Sequence, residues 1–230
     1  SNFKLNINDQ EIPLSPSFFP NQVYTSPSGI VINSDTFSTF YLNSGEFRNF
    51  TSDILQVTPY QILDDLGIET IPGYLFLRKN QNVYTIEQST SDDLTQNLKN
   101  ITTFDLPSNF SYVEMKIINN QAYIIFYENF AGVGDIRIAK LDGASILQVQ
   151  SLSEVQSITF GKNRIIYTIE SDNLQDLTNY ESILLDFTQN SEGESSRLNI
   201  TTTLVQNDIR GSLLARRCNF DTLGNLYCLV

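Results

Sequence analysis

Short apolar stretches separated by tight polar turns recur along the chain, a pattern that predicts β-strands joined as hairpins. The clearest is at the C-terminus. There Ala215 to Phe220 run into Asp221-Thr222-Leu223-Gly224-Asn225 and on through Leu226 to Val230. The same shape occurs at Val155 to Phe160, turning at Gly161-Lys162-Asn163 into Ile165 to Ile169. It occurs again at Val113 to Ile118, turning at Asn119-Asn120-Gln121 into Ala122 to Tyr127. Two further copies are expected to turn at Ser26-Pro27-Ser28-Gly29 and at Ile71-Pro72-Gly73.

Aligned on Gly29, Gly73, Asn120, Lys162 and Gly224, the turns are spaced by 44, 47, 42 and 62 residues. A recurrence at about 40–50 residues, each period one supersecondary unit, predicts a stacked or radial repeat architecture such as a propeller of four-stranded blades. Two more strands follow each of the first four turns. They are Phe37 to Leu42 and Phe47 to Ser52, Val83 to Gln88 and Ile101 to Leu106, Asp135 to Leu141 and Ile146 to Leu152, and Ser182 to Phe187 and Leu198 to Val205. The expected blades cover 21–56, 57–107, 110–153 and 154–206, with a partial one over 210–230. The long step is accounted for by polar insertions at Ser171 to Tyr180 and Thr188 to Arg197. Ser91 to Leu98 is the best short helical candidate.

The C-terminal letters Asp221-Thr222-Leu223-Gly224-Asn225-Leu226-Tyr227 resemble β-propeller repeats of the NHL type, whose blades carry an Asp-x-x-Gly-Asn turn before a Tyr-containing strand. The other hairpins share the shape and not the letters. The resemblance implies an all-β propeller, in a family made up mostly of interaction platforms. Residues 1–20, through Phe3 to Ile7 and Glu11 to Leu14, could complete the last blade and close a five-bladed ring. The alternative is a segment of a larger propeller. The missing initial Met reads as a processed or trimmed end.

Composition narrows the chemistry. A net charge of −12, with 14 Lys and Arg against 26 Asp and Glu, repels nucleic acid and anionic lipid surfaces. No apolar run approaches the roughly 20 residues of a membrane-spanning helix. With no His there is no imidazole base, metal ligand or Ser-His-Asp arrangement, and two Cys cannot build a thiolate-rich metal centre. No catalytic residue, metal site or cofactor is expected.

Cys218 and Cys228 lie symmetrically about Leu223, so a hairpin there sets them opposite one another, and a disulfide is preferred over two buried thiols. Four N-glycosylation sequons begin at Asn49, Asn100, Asn109 and Asn199. Their number is near chance for this composition, but their placement is not uniform: Asn49, Asn100 and Asn199 fall at the start of expected fourth strands, the outermost of a blade. Carboxylates at Asp64-Asp65, Asp92-Asp93, and Asp105 with Glu114 are candidates for a two-carboxylate hydrolase scheme, with solvated turn and edge charge as the preferred reading. Gly132-Val133-Gly134 reads as a loop rather than a phosphate cradle, and Asp172 to Glu181 lacks the central Gly of a calcium loop. Arg216-Arg217 reads as edge charge rather than a cleavage site. The expectation is an extracellular or cell-surface structural or interaction glycoprotein module. It would bind a protein partner or self-associate, with neither nucleic acid nor a membrane span; a carboxylate-dependent, glycosidase-like hydrolase is the alternative.

Overall fold

A computed structural model describes residues 3–7, 10–14, 20–26, 29–34, 38–51, 53–63, 70–90, 98–129, 133–170, 180–189, 198–205, 218–221 and 224–228. The chain is all-β, and every sheet is antiparallel, with no helix among the described residues. It divides into two compact units, Ser1–Phe104 and Asp105–Val230.

The first unit holds a hairpin of β1 (Phe3–Ile7) and β2 (Gln10–Leu14), then two four-stranded sheets. One is β3 (Pro20–Ser26), β4 (Gly29–Ser34), β5 (Ser38–Leu42) and β6 (Phe47–Asn49), side by side in chain order. The other is β7 (Ile54–Leu63), β8 (Thr70–Asn80), β9 (Val83–Ser89) and β10 (Lys99–Asp105), also in order. The four-strand count expected for both repeats is therefore met.

The two sheets share a core of Val31 and Phe40 with Phe50, Ile54, Val57, Tyr74 and Phe76. Aromatic edges fix it: Phe40 meets Tyr74, and Phe50 meets Phe76, each with ring centroids 5.9 Å apart. A polar clamp accompanies this core. Strand β7 is an edge of its sheet, so the outward N–H and C=O of Val57 have no strand partner there. Buried Asn33 supplies one, donating through Nδ2 to Val57 O at 3.0 Å and accepting Val57 N–H at Oδ1 at 3.1 Å. Ser38 Oγ donates to the same Oδ1 at 2.6 Å and holds the amide in place. One side chain thus does for β7 what a neighbouring strand would do.

One expected turn is corrected. Ile71-Pro72-Gly73 lies inside β8, where Pro72 pairs with Gln61 and Gly73 with Tyr60. The stretch before Tyr74 pairs with β7 alone, since β9 joins only from the Tyr74–Ser89 pair, and a proline is tolerated on such an edge. Gly73 is glycine for space. A Cβ there would lie 2.3 Å from Ile62 Cδ1 and 2.8 Å from Ser89 O.

The second unit holds a seven-stranded meander that curls into a half-barrel: β11 (Tyr112–Ile118), β12 (Gln121–Tyr127), β13 (Gly134–Asp142), β14 (Ser145–Phe160), β15 (Arg164–Glu170), β16 (Tyr180–Gln189) and β17 (Leu198–Val205). A hairpin of β18 (Cys218–Phe220) and β19 (Leu226–Cys228) follows as a separate two-stranded sheet. Asn119 and Asn120 turn the β11–β12 hairpin with φ of 49° and 57°, the left-handed pair a two-residue hairpin loop demands and Asn tolerates.

The expected break between 153 and 154 falls inside β14. Its first part, Ser145 to Val155, pairs with β13, and its last part, Val155 to Phe160, pairs with β15. A register shift at Val155/Ser157 and a left-handed Glu154 (φ 56°) mark a bulge that bends the strand without ending it. Asp135 Oδ1 accepts the Glu154 N–H at 3.3 Å and supports the bend. The concave side is filled by Ile118, Tyr123, Ile125 and Tyr127 against Ile136, Ile138, Leu152, Val155, Ile165, Tyr167, Leu185 and Phe187.

The helical candidate at 91–97, the insertions at 171–179 and 190–197, and residues 215–217 ahead of β18 lie outside the described residues.

Replacing Asn33 with Ala strands two buried backbone groups and is expected to lower stability by about 2–4 kcal/mol, read as an earlier urea midpoint. Gly73→Ala is expected to cost about 1–3 kcal/mol by overpacking against Ile62. Wild-type midpoints in both variants would refute these roles.

Candidate functional site

Three features carry chemistry: the C-terminal hairpin, the sequon asparagines and a polar group inside the half-barrel. In the hairpin the turn letters have identifiable jobs. Asp221 N–H donates to Asn225 O, and Gly224 N–H donates to Asp221 O, both at 3.0 Å. The Asp221 carboxylate accepts from Asn225 N–H at 2.7 Å, from Asn225 Nδ2 at 2.8 Å and from the Tyr227 hydroxyl at 3.3 Å. Gly224 sits at φ +86°, where a side chain would be strained, and a Cβ there would also approach Asn163 Oδ1 at 3.1 Å.

Cys218 and Cys228 are directly opposed in the ladder, with Cα atoms 4.0 Å apart and sulfurs at disulfide distance. Buried Cys218 packs with Ile166, and Leu184, Phe220, Leu226 and Cys228 close around them. Phe220 lies over Gly161 so closely that a Cβ on that glycine would come within 2.5 Å of the ring. The same loop reaches further. Lys162 O accepts the Asn119 N–H at 2.6 Å, and Asn163 O accepts the Phe187 N–H at 2.8 Å. Three expected hairpin turns, at 119–120, 161–163 and 221–225, are therefore mutual neighbours through the middle one.

The sequon asparagines follow sheet topology. Asn49 is the last residue of β6, Asn100 the second of β10 and Asn199 the second of β17; each of these strands is the edge of its sheet. Asn49 therefore closes its strand rather than opening it, because β6 ends before the expected Ser52. Asn49 and Asn100 are exposed, as is Asn109, which lies in the turn leading to β11. The side chain of Asn199 lies outside the described residues. Thr39 Oγ1 donates to Asn49 Oδ1 at 2.9 Å.

The polar group inside the half-barrel is not evident from the sequence read as surface alternation. Tyr112, Glu114, Lys116 and Ile118 lie on one face of β11, toward Tyr127, Ile125 and Tyr123 of β12. Tyr127 donates its hydroxyl to Glu114 Oε1, Lys116 Nζ stands 3.1 Å from Glu114 Oε2, and the same ammonium sits over the Phe160 ring at 5.3 Å. The signal was available in the register: β12 is buried on both faces from Ala122 to Tyr127, so any polar residue opposite it needs a partner. Burial first, and then the Glu114 charge, hold the Tyr127 phenol well above its usual range. Burial alone raises Tyr123 and Tyr167, and the Tyr123 hydroxyl has no hydrogen-bond partner among the described residues.

The carboxylate candidates do not form a described pair. Asp64, Asp65, Asp92 and Asp93 lie outside the described residues, as does Asp172 to Asn179 of the calcium-loop candidate, while Asp105 is exposed and Glu114 buried. Among the described residues no three His, Cys, Asp or Glu side chains gather as metal ligands. Gly132 lies outside the described residues. At Gly134 the Glu128 carboxylate accepts the Asp135 N–H at 3.0 Å, placing negative charge where a phosphate cradle would need donors.

Buried phenols give a pH signature. Below about pH 10 both folded and unfolded chains keep these protons; above it the unfolded chain ionises while Tyr123, Tyr127 and Tyr167 do not, so stability falls as pH rises. Phenolate absorbance followed alongside circular dichroism should show these tyrosines ionising only as the fold opens. Reversible ionisation of all tyrosines with an unchanged fold would refute the arrangement.

No protein-family model matches the chain and the curated proteins searched return no match, so the reading of function rests on the geometry above.

Proposed function

We propose that the chain is an extracellular structural or interaction glycoprotein module, built as propeller-type repeats of four strands and binding a protein partner or further copies of itself. The observation that carries this reading is the placement of the sequons on Asn49, Asn100 and Asn199. All three lie on edge strands of their sheets, where a bulky glycan reaches water and blocks unwanted strand pairing.

Other features support it. The half-cystine geometry of Cys218 and Cys228 suits an oxidising compartment. The C-terminal hairpin has the NHL-like turn, with Asp221 organising the loop and Tyr227 61% exposed beside it. The repeat reading draws on the way neighbouring strands and turns engage. In the first unit the second strand of one sheet grips the first strand of the next through Asn33, and in the second unit the 161–163 turn meets the 119–120 turn through Lys162 and the C-terminal hairpin through Gly161. Both contacts are local and directional, as a radial stack requires. An acidic surface with exposed aromatics such as Tyr227 and Phe47 favours recognition by aromatic anchors over charge steering.

The test is the intact mass of the protein from its natural source, before and after enzymatic removal of N-glycans, with and without reduction. The expected result is mass lost on deglycosylation, with Asn converted to Asp at occupied sites, and a gain of two hydrogens on reduction. A bare polypeptide mass with free thiols would overturn the reading.

A further inference from the structure

The four sequons are not equivalent, and one of them has a built surface beside it. On β6, Phe47 and Asn49 are two residues apart and project from the same face, about 7 Å apart along the strand. Two cross-strand contacts fix that face: Thr39 opposes and hydrogen-bonds Asn49, and Tyr41 opposes Phe47 with ring centroids 4.9 Å apart. Phe40, between Thr39 and Tyr41, points the other way into the core. Phe47 is 40% exposed although it is an aromatic residue leaning on another aromatic ring. Sequence and packing leave its outer face unused.

From this we infer that the first N-acetylglucosamine of a glycan on Asn49 is seated on the Tyr41–Phe47 pair, its C–H face stacked against the exposed ring of Phe47. The inference rests on the glycoprotein reading above. Thr39 Oγ1 lies 2.9 Å from Asn49 Oδ1 and 3.1 Å from Arg48 O, two acceptors that share its one proton, and with the oxygen arm of the carboxamide set beside Thr39 the other arm, Nδ2, is the one that takes the sugar. A pyranose chair leaving Nδ2 and lying back along the strand brings its C–H face to Phe47, one residue pair away. Tyr41 does not have to touch the sugar; it holds the Phe47 ring at a fixed tilt of 52°, so little side-chain entropy remains to be lost on stacking.

The other described sequons lack this surface. Two residues before Asn100 stands Leu98, half-buried against the Val31–Phe40 core, and two residues before Asn109 stands Pro107. For Asn199 the equivalent residue, Arg197, lies outside the described residues. Asn49 is therefore expected to carry a glycan that is ordered at its root and adds to stability, while those on Asn100 and Asn109 extend freely.

The experiment uses the whole chain secreted from eukaryotic cells and trimmed enzymatically to single N-acetylglucosamine residues, with site occupancy read by peptide mass. Proton NMR of the acetyl methyl and ring signals should show one sugar displaced upfield by an aromatic ring current. That displacement should vanish in Thr51→Ala, which loses the sequon, and in both Phe47→Ala and Phe47→Leu, the second of which keeps apolar bulk without a ring. The trimmed protein should melt about 2–4 °C above Thr51→Ala, and this gap should close when Phe47 is replaced in both backgrounds. An occupied Asn49 with no displaced signal, or a gap indifferent to Phe47, overturns the seat and leaves the glycoprotein reading intact. Asn49 bare while other sequons are occupied does the same. Four bare sequons overturn both.

Discussion

Unpaired strand edges are the constraint around which this chain is organised. Open antiparallel sheets of two to seven strands leave outward N–H and C=O groups along both edges, and each must be paired, wetted or covered. The chain uses a different device at each kind of edge. Inside the first unit the edge strand β7 receives the Asn33 side chain at Val57. Inside the second unit β14 removes an edge altogether by running through a bulge from one set of strands to the next. Turn backbone is also recruited, with Lys162 O and Asn163 O accepting from Asn119 and Phe187. The edge strands β6, β10 and β17 pair on one side only among the described residues, and these strands carry sequons.

Much of this was legible in the letters. Asn119-Asn120 can only be a left-handed two-residue turn between the apolar runs on either side, and the structure places it there. In the first unit the two sets of four strands followed from alternation and turn residues alone, whereas in the second unit the two expected sets are one seven-stranded sheet. Ile71-Pro72-Gly73 has the letters of a turn, whereas the glycine answers a tertiary demand, the space occupied by Ile62, that no local pattern encodes. The joining of strands across 153–154 was hidden for a related reason. The residue that adopts the left-handed bend is Glu154, and a non-glycine there carries no signal.

The polar interior was hidden differently. Glu114 and Lys116 alternate with Val113, Met115 and Ile117 as a half-exposed strand would, but the neighbouring strand is buried on both faces, so the polar side of the alternation faces a core. Tyr127 makes that tolerable by donating to Glu114 while Lys116 balances its charge. Three polar groups that satisfy one another specify the β11–β12 register more narrowly than apolar packing does, since a slip of one residue would send them to the opposite face and separate them. Asn33 plays the equivalent part in the first unit. It follows the apolar run Ile30-Val31-Ile32 and ties one sheet to the next.

The C-terminal hairpin brings these arguments together at the smallest scale. With three residues in each strand, β18 and β19 have too few ladder bonds to stand alone. Each part of the hairpin is therefore held by something other than the ladder: the base by the opposed cysteines, the middle by Phe220 over Gly161, and the tip by Asp221 collecting Asn225 and Tyr227. The tip also explains why the Asp-x-x-Gly-Asn letters stand at this turn and not at the others. Asp, Gly and Asn are each required by a named bond or angle in this turn, whereas the 119–120 turn reaches the same reversal with two asparagines and the 161–163 turn by leaning on its neighbours. Where neighbours supply the restraint, the letters are free to vary; where the hairpin must restrain itself, they are not.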